Sequence, residues 1–184
     1  MSGSLTVRPA RPTDVPAVVA MVHELAAFEQ APQECRLTEE QLDAALFAEH
    51  PALFGHVAVE GSDQPVGMML WFLNYSTWAG VHGIYLEDLY VRPDARNSGA
   101  GRAMLATLAD LCVRRGYARL DWSVLHWNPA REFYHAIGAE PVDEWIPYRL
   151  TGEGLHRLAA RAGLVPDRTP GMGRGAARPV AGTS

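Results

Sequence analysis

A mixed α/β sandwich is the fold class this sequence predicts, on three observations. Strand-like segments fall before, between and after helix-like ones instead of in separate blocks. The stretch from Leu86 to Met104 reads as a strand, a tight turn, a glycine-bearing loop and the start of an amphipathic helix. The chain has 184 residues, 48% of them hydrophobic, with no apolar run of membrane-spanning length. One domain with a substantial core is the expectation, over residues 1–162.

The elements follow in order. Leu5 to Arg8 alternates as a first strand does. Pro12-Thr13-Asp14 supplies N-cap chemistry for a helix to about Phe28. Thr38 and Gln41 form a capping box for a second helix ending near His50-Pro51. Phe54 to Glu60 and Val66 to Leu73 are rich in β-formers, and the Gly61–Pro65 segment between them reads as a hairpin turn. Gly83 to Val91 is the next strand, and residues 98–115 form a helix stopped by Gly116. Ala118 to Leu125 is a further strand. Asn128-Pro129 opens a helix through Ile137, stopped at Gly138. Pro147 to Leu150 is read as a last strand and Leu155 to Arg161 as a short helix. Residues 163–184 are mainly Gly, Ala, Pro and Arg and are expected to be disordered.

Composition narrows the function. The chain has no lysine; residues 1–160 hold twelve arginines against twenty carboxylates, and residues 161–184 hold four arginines against one. An acidic body argues against nucleic acid, which needs a basic stripe, and is compatible with a cationic small substrate, the alternative for most of these acids being that they only solvate the surface. Met1-Ser-Gly-Ser carries no basic region followed by an apolar one, so no secretory leader and no membrane association are expected. Cys35 and Cys112 form no CxxC pair, which fits a reduced cytoplasmic setting. The seven histidines show no HxH or HExxH spacing, so no metal site is expected.

The loop between strand and helix reads Arg96-Asn97-Ser98-Gly99-Ala100-Gly101-Arg102. Unpaired backbone N–H groups and the positive end of a helix dipole bind phosphate at such a place. Gly99 and Gly101 lack a Cβ, so a pyrophosphate has close access to the backbone. No Gly-Lys-Ser/Thr follows, which excludes a Walker A loop, and the third glycine of the dinucleotide fingerprint is missing.

At Arg96-x-x-Gly99-x-Gly101 the chain resembles the GNAT superfamily of acetyl-CoA-dependent N-acetyltransferases, over roughly residues 4–160. Further likeness is to its diamine acetyltransferase branch, the spermidine/spermine and thialysine acetyltransferases. It is carried by Arg8-Pro9-Ala10, Glu24-Leu25-Ala26, Phe28-Glu29, Glu49-His50-Pro51, Tyr75-Ser76-Thr77-Trp78, Tyr85-Leu86-Glu87-Asp88, Trp127-Asn128 and Phe133-Tyr134 with Gly138-Ala139. The resemblance implies a mixed central sheet flanked by helices, with parallel strands splayed at the cofactor site. It also implies a homodimer, acetyl-CoA as cosubstrate and a small amine as acceptor.

It implies roles as well. Tyr134 would protonate the leaving thiolate, the alternative being a half-buried core tyrosine. Glu87 would be the substrate-contacting carboxylate and base, directly or through water, with Asp88 holding charge nearby. Consecutive strand residues face opposite ways, so only one of the two is expected to line a given face. Leu89, Tyr90 and Val91 would offer backbone groups to the acetyl carbonyl and pantetheine. Arg96, Asn97, Ser98, Gly99, Ala100, Gly101 and Arg102 would hold the pyrophosphate, with Arg102 equally readable as an exposed helix residue. Asn128 would bond pantetheine amides or cap its own helix. Phe28 and Glu29 match substrate-side positions, and Trp78 would close over the acceptor's alkyl chain or simply cap the core. Ser76 stands where polyamine-acetylating members carry an acid, as in the thialysine type, which favours an amino-acid-like amine. Other readings of the same chain are acetylation of an antibiotic or a protein amine, and a non-catalytic acyl-CoA-binding regulator.

Overall fold

Alternating and apolar strand segments pair through short turns here, and the helices cover the two faces they leave apolar. The computed structural model describes residues 5–61 and 63–162. The chain divides into two compact units at the Phe133–Tyr134 bond.

The first unit holds a five-stranded sheet in the order β1 (Leu5–Pro9), β2 (Phe54–Glu60), β3 (Gln64–Ser76), β4 (Val81–Val91) and β5 (Leu120–Trp122). The first four strands are antiparallel neighbours, and β4 pairs with β5 in parallel. Helix α1 (Val15–Phe28) follows a 3-10 turn over Pro12–Asp14, and α2 is Glu39–Phe47. Helix α3 (Ala100–Arg115) follows β4 through a second 3-10 turn, Pro93–Ala95.

Strand register shows which helices cover which face. Directly opposed residues share a face, and successive residues alternate. Met68 lies opposite Tyr90 and Leu70 opposite Asp88. Met68, Leu70 and Tyr90 pack with Val57 and Val59 against Val15, Val18, Val19 and Met21 of α1 and Leu42 and Leu46 of α2. Gly67 and Val91 therefore belong to the other face, which α3 covers with Met104, Leu105, Leu108 and Cys112. A Cβ on Gly67 would sit 3.0 Å from Met104 Cε and 3.1 Å from the Tyr90 carbonyl, so the glycine lets α3 approach the sheet.

Two irregularities shape the middle of the sheet. Leu70 pairs with Asp88 but Trp71 pairs with Leu86, so Glu87 is an extra residue at a β-bulge. On the other side, β4 and β5 pair only from Ile84–Leu120 to Leu86–Trp122. Beyond Leu86, β4 continues to Val91 with no strand partner on that edge among the described residues, which is the splay that the resemblance implied.

Several expected details differ. Asp14 does not cap α1 through its side chain. Its carboxylate accepts from the Arg11 N–H at 2.7 Å and pairs with Arg8 at 2.7 Å, joining the 3-10 turn to β1. Helix α2 ends at Phe47, before His50. The strand expected over Ala118–Leu125 shrinks to Leu120–Trp122, because a strand lasts only where a neighbour accepts its ladder and β4 turns away at the bulge. The Thr38–Gln41 capping box forms as expected, with Thr38 Oγ1 accepting from the Gln41 N–H.

The second unit contains the end of α4 (Ala130–Ala136) and α5 (Gly152–Ala159). The strand expected at Pro147–Leu150 is absent; these residues pair with no other strand, and β-propensity alone supplies no hydrogen-bond partners. The tail expected over residues 163–184 lies outside the described residues. No helix among the described residues is long and apolar enough to cross a membrane.

Candidate active site

The bulge in β4 gathers acidic groups. Glu87, the extra residue, is exposed, and Asp88 beside it is half-buried on the face shared with Leu70. Glu29 ends α1 and is also half-buried. Burial pushes the Asp88 carboxyl up to about 6, and the charges of Glu87 and Glu29 push in the same direction. Burial likewise raises Glu29. Strict alternation would have put Glu87 and Asp88 on opposite faces. The bulge removes the basis for that expectation, because Leu86 and Asp88 themselves now change faces. A bulge is a recurrent device for re-aiming one side chain at a site.

The glycine loop leaves the end of β4. Asn97 and Gly99 adopt left-handed backbone, with φ of 65° and 92°. The space where a Gly99 Cβ would stand is open, with nothing within 4 Å. Ser98 Oγ accepts from the Ala100 N–H at 3.4 Å, and α3 carries no acid in its first turn. The remaining N–H groups of that turn, including Gly101 and Arg102, have no intrahelical acceptor by construction. An open strand edge over Leu89, Tyr90 and Val91 leads into this cradle. That combination of free strand edge, glycine access and helix N-terminus fits the pantetheine and pyrophosphate of a CoA thioester.

The side chains of the loop have partners of their own. Arg96 Nε donates to the Val91 carbonyl at 3.2 Å, and its guanidinium lies 5.5 Å from the Phe28 ring and 5.9 Å from the Tyr90 ring. Phe28 in turn meets Trp127 at 5.9 Å, tilted by 49°. Arg92 stands 3.6 Å from Glu24 of α1. Burial raises the Tyr90 phenol, and Glu24 adds to that by charge and hydrogen bonding. Arg102 places its guanidinium 5.9 Å from the Phe133 ring. Asn128 Oδ1 accepts from the Ala130 N–H at 2.9 Å, so its carbonyl caps α4.

The structure thus brings Phe28, Glu29, Glu87, Asp88, Tyr90 and Arg96 into one neighbourhood. It does not bring Trp78 there. Trp78 is 92% exposed in the turn joining β3 to β4. Glu87 is six residues along β4 from Val81, roughly 20 Å at strand rise. Ser76 belongs to the same turn, where its Oγ accepts from the Ala79 N–H at 3.1 Å. Sequence reasoning missed the roles of Glu24 and Arg92. Their signal was present: Glu24 and Phe28 are four apart on α1 and share a face.

In the second unit, Tyr134 lies on α4 and is half-buried. Its carbonyl accepts from the Ile137 and Ala139 N–H groups, and Gly138, at φ 88°, ends the helix. Val142, Trp145, Ile146, Tyr148 and Leu150 are all exposed. Among the described residues, no group of three or more His, Cys, Asp or Glu is placed to hold a metal ion.

Known proteins resemble this chain in sequence and in fold. Residues 19–139 match the model of the acetyltransferase (GNAT) family. The chain is 34% identical over 169 residues to the thialysine N-epsilon-acetyltransferase of Mus musculus, covering 86% of this chain and 99% of that one. It is 27% identical to the L-ornithine N5-acetyltransferase NATA1 of Arabidopsis thaliana, over 83% of this chain and 86% of that one. Among solved structures, an integron cassette protein from the mobile metagenome of V. cholerae superposes with a TM-score of 0.71 at 28% identity, covering 85% of this chain and 98% of its own. The splayed sheet, the glycine loop and these matches lead to one conclusion: the chain belongs to the acetyltransferase (GNAT) family and is an N-acyltransferase.

Proposed function

We propose that the protein moves an acetyl group from acetyl-CoA to the primary amine of a small cationic acceptor, a thialysine-like amino acid before a diamine or polyamine. The observation that carries this reading is the acidic cluster at the bulge. Asp88 is raised to about 6 by burial and by Glu87 and Glu29, a set of like charges that a cationic acceptor relieves.

The chemistry follows from two proton problems. An alkyl amine near pKa ~10.4 has fewer than about one molecule in a thousand unprotonated at pH 7. Glu87, exposed at the bulge, takes that proton, directly or through water. The same carboxylates raise the amine's pKa, so water access at Glu87 matters. The donor supplies the acetyl group as a thioester. Leu89, Tyr90 and Val91 offer backbone groups along the unpaired edge of β4. The backbone of residues 97–102 receives the pyrophosphate, and the Asn128 side chain bonds a pantetheine amide. Tyr134, a phenol protonated at pH 7, is assigned the proton for the departing thiolate by the family motif Phe133-Tyr134.

The preference for a thialysine-like acceptor rests on the relatives. The mouse relative is a thialysine acetyltransferase, and the Arabidopsis one acts on ornithine. A sulfur two carbons from the amine lowers its pKa, which eases deprotonation. Residues 1–162 are taken as the catalytic domain of a cytoplasmic homodimer. The acidic body disfavours nucleic acid as partner.

The test is thiol release from acetyl-CoA with thialysine, ornithine, spermidine and an aminoglycoside as acceptors. Turnover should be greatest with the ω-amino acids, and Glu87→Gln should lower it for every acceptor. Tight acetyl-CoA binding with no turnover would instead make the protein an acyl-CoA-binding regulator.

A further inference from the structure

The loop that follows β4 is bolted to the helix that carries the acceptor-side residues. Arg92 and Arg96 flank the 3-10 turn Pro93–Ala95, and both reach α1. Arg92 pairs with Glu24, and Arg96 covers Phe28, one helical turn further along the same face. The Tyr90 ring lies 5.9 Å from the Arg96 guanidinium, and the charge of Glu24 adds to the burial that raises its phenol. Phe28 contacts both the Arg96 guanidinium, at 5.5 Å, and the Trp127 ring, at 5.9 Å, and the next residue is Glu29 of the acidic cluster.

Two consequences follow. The Arg96 guanidinium is anchored by the Val91 carbonyl on one side and by aromatic faces on the other, a geometry that a planar guanidinium satisfies and an ammonium does not. The Phe28 face turned to Arg96 already holds a cation, so it is not the face that recognises an acceptor ammonium. Resting on the acetyltransfer reading above, we propose that Arg96 is a positioning residue for the acceptor side. It holds Phe28, and through it the end of α1 with Glu29, against the cofactor loop, and its side chain is not the main pyrophosphate ligand.

The test is a double-mutant cycle of Arg96→Gln and Phe28→Leu, with Arg96→Lys as a milder variant. Acceptor KM and kcat come from thiol release, and acetyl-CoA affinity from calorimetry. Arg96→Gln should raise acceptor KM roughly three- to tenfold, with a smaller change in acetyl-CoA affinity. Once Phe28 is leucine, Arg96→Gln should add little. Arg96→Lys should fall between, because it keeps the charge and loses the planar fork. A tenfold loss of acetyl-CoA affinity with acceptor KM unchanged would overturn the proposal and make Arg96 a phosphate ligand. Additive effects would overturn it as well. If the wild type turns over no amine, the acetyltransfer reading fails separately. The same cycle read in melting temperature then still tests the Arg96–Phe28 contact: coupling supports it, and additivity refutes it.

Discussion

Asp88 should destabilise the fold it serves. Its carboxyl is half-buried among like charges, and its value near 6 stands against 3.8 for an ordinary aspartate. The difference corresponds to at most about 3 kcal/mol, at 1.36 kcal/mol per pH unit. The direction is fixed by linkage. Between about pH 4 and pH 6 the folded protein holds a proton at Asp88 that the unfolded chain has released. Stability contributed by this group therefore falls as pH rises through that window, and the full penalty is present at pH 7. Asp88→Asn removes the titration while keeping the size of the side chain.

The variant should thus be more stable than wild type at pH 7.5 by up to about 3 kcal/mol, or roughly 6–12 °C in melting temperature for a chain of this length. The gain should shrink as pH drops and vanish near pH 4. Urea denaturation at pH 7.5, 6 and 5 reads this directly, and acceptor KM measured in parallel should rise several-fold as the attracting charge is lost. A variant that is neutral or less stable at pH 7.5 would refute the reasoning, as would a gain of the same size at pH 5. Stability bought by removing a charge, together with lost acceptor affinity, is the pattern of a site built for a ligand.

Three further outcomes are expected. Tyr134→Phe should lower kcat by about 10²–10⁴, the usual range for a general acid, with acetyl-CoA affinity by calorimetry nearly unchanged; turnover within about threefold of wild type would assign the proton to another donor. Gly99→Val should weaken acetyl-CoA binding at least roughly tenfold, because a β-branched residue at φ 92° strains the loop by about 1–2 kcal/mol and its side chain fills the open cradle. His56 accepts a hydrogen bond from Trp71 Nε1 at 3.1 Å, and burial holds its imidazole below the usual 6.5, so protonation opposes folding. Its contribution to stability should therefore fall as pH drops below about 6.5, opposite in sign to that of Asp88, and His56→Gln should remove that slope in urea titrations.

Much of the fold was legible because its signals are local. Thr38 and Gln41 announce α2, and Gly116 in left-handed conformation ends α3, by rules that involve only a few neighbouring residues. The misreadings occur where distant pairing decides. Asp14 has the chemistry of a cap, but Arg8 and the Arg11 N–H claim it. Residues 118–125 have strand character throughout, but a strand extends only as far as its neighbour follows, and β4 departs after Leu86. Pro147–Leu150 has the propensity and no ladder.

The site shows the same division more sharply. Sequence picks out Glu87 and Asp88 as a consecutive pair and applies the period-2 rule to them. That rule holds only while two strands keep register, and register is a property of β3 as much as of β4. The slip between Leu70 and Trp71 is invisible in either strand alone, yet it makes Glu87 the extra residue and turns Asp88 inward beside Glu29. The Arg96 contact is likewise unreadable from its motif, since Arg-x-x-Gly-x-Gly describes a loop for phosphate and says nothing of α1. Phe28 lies 68 residues upstream and reaches that guanidinium because the core packing of α1 on the sheet sets its end beside the loop. The function proposed above therefore rests on two places where local rules give way to long-range packing, a strand bulge and a helix–loop contact, and neither can be read from one segment of sequence alone.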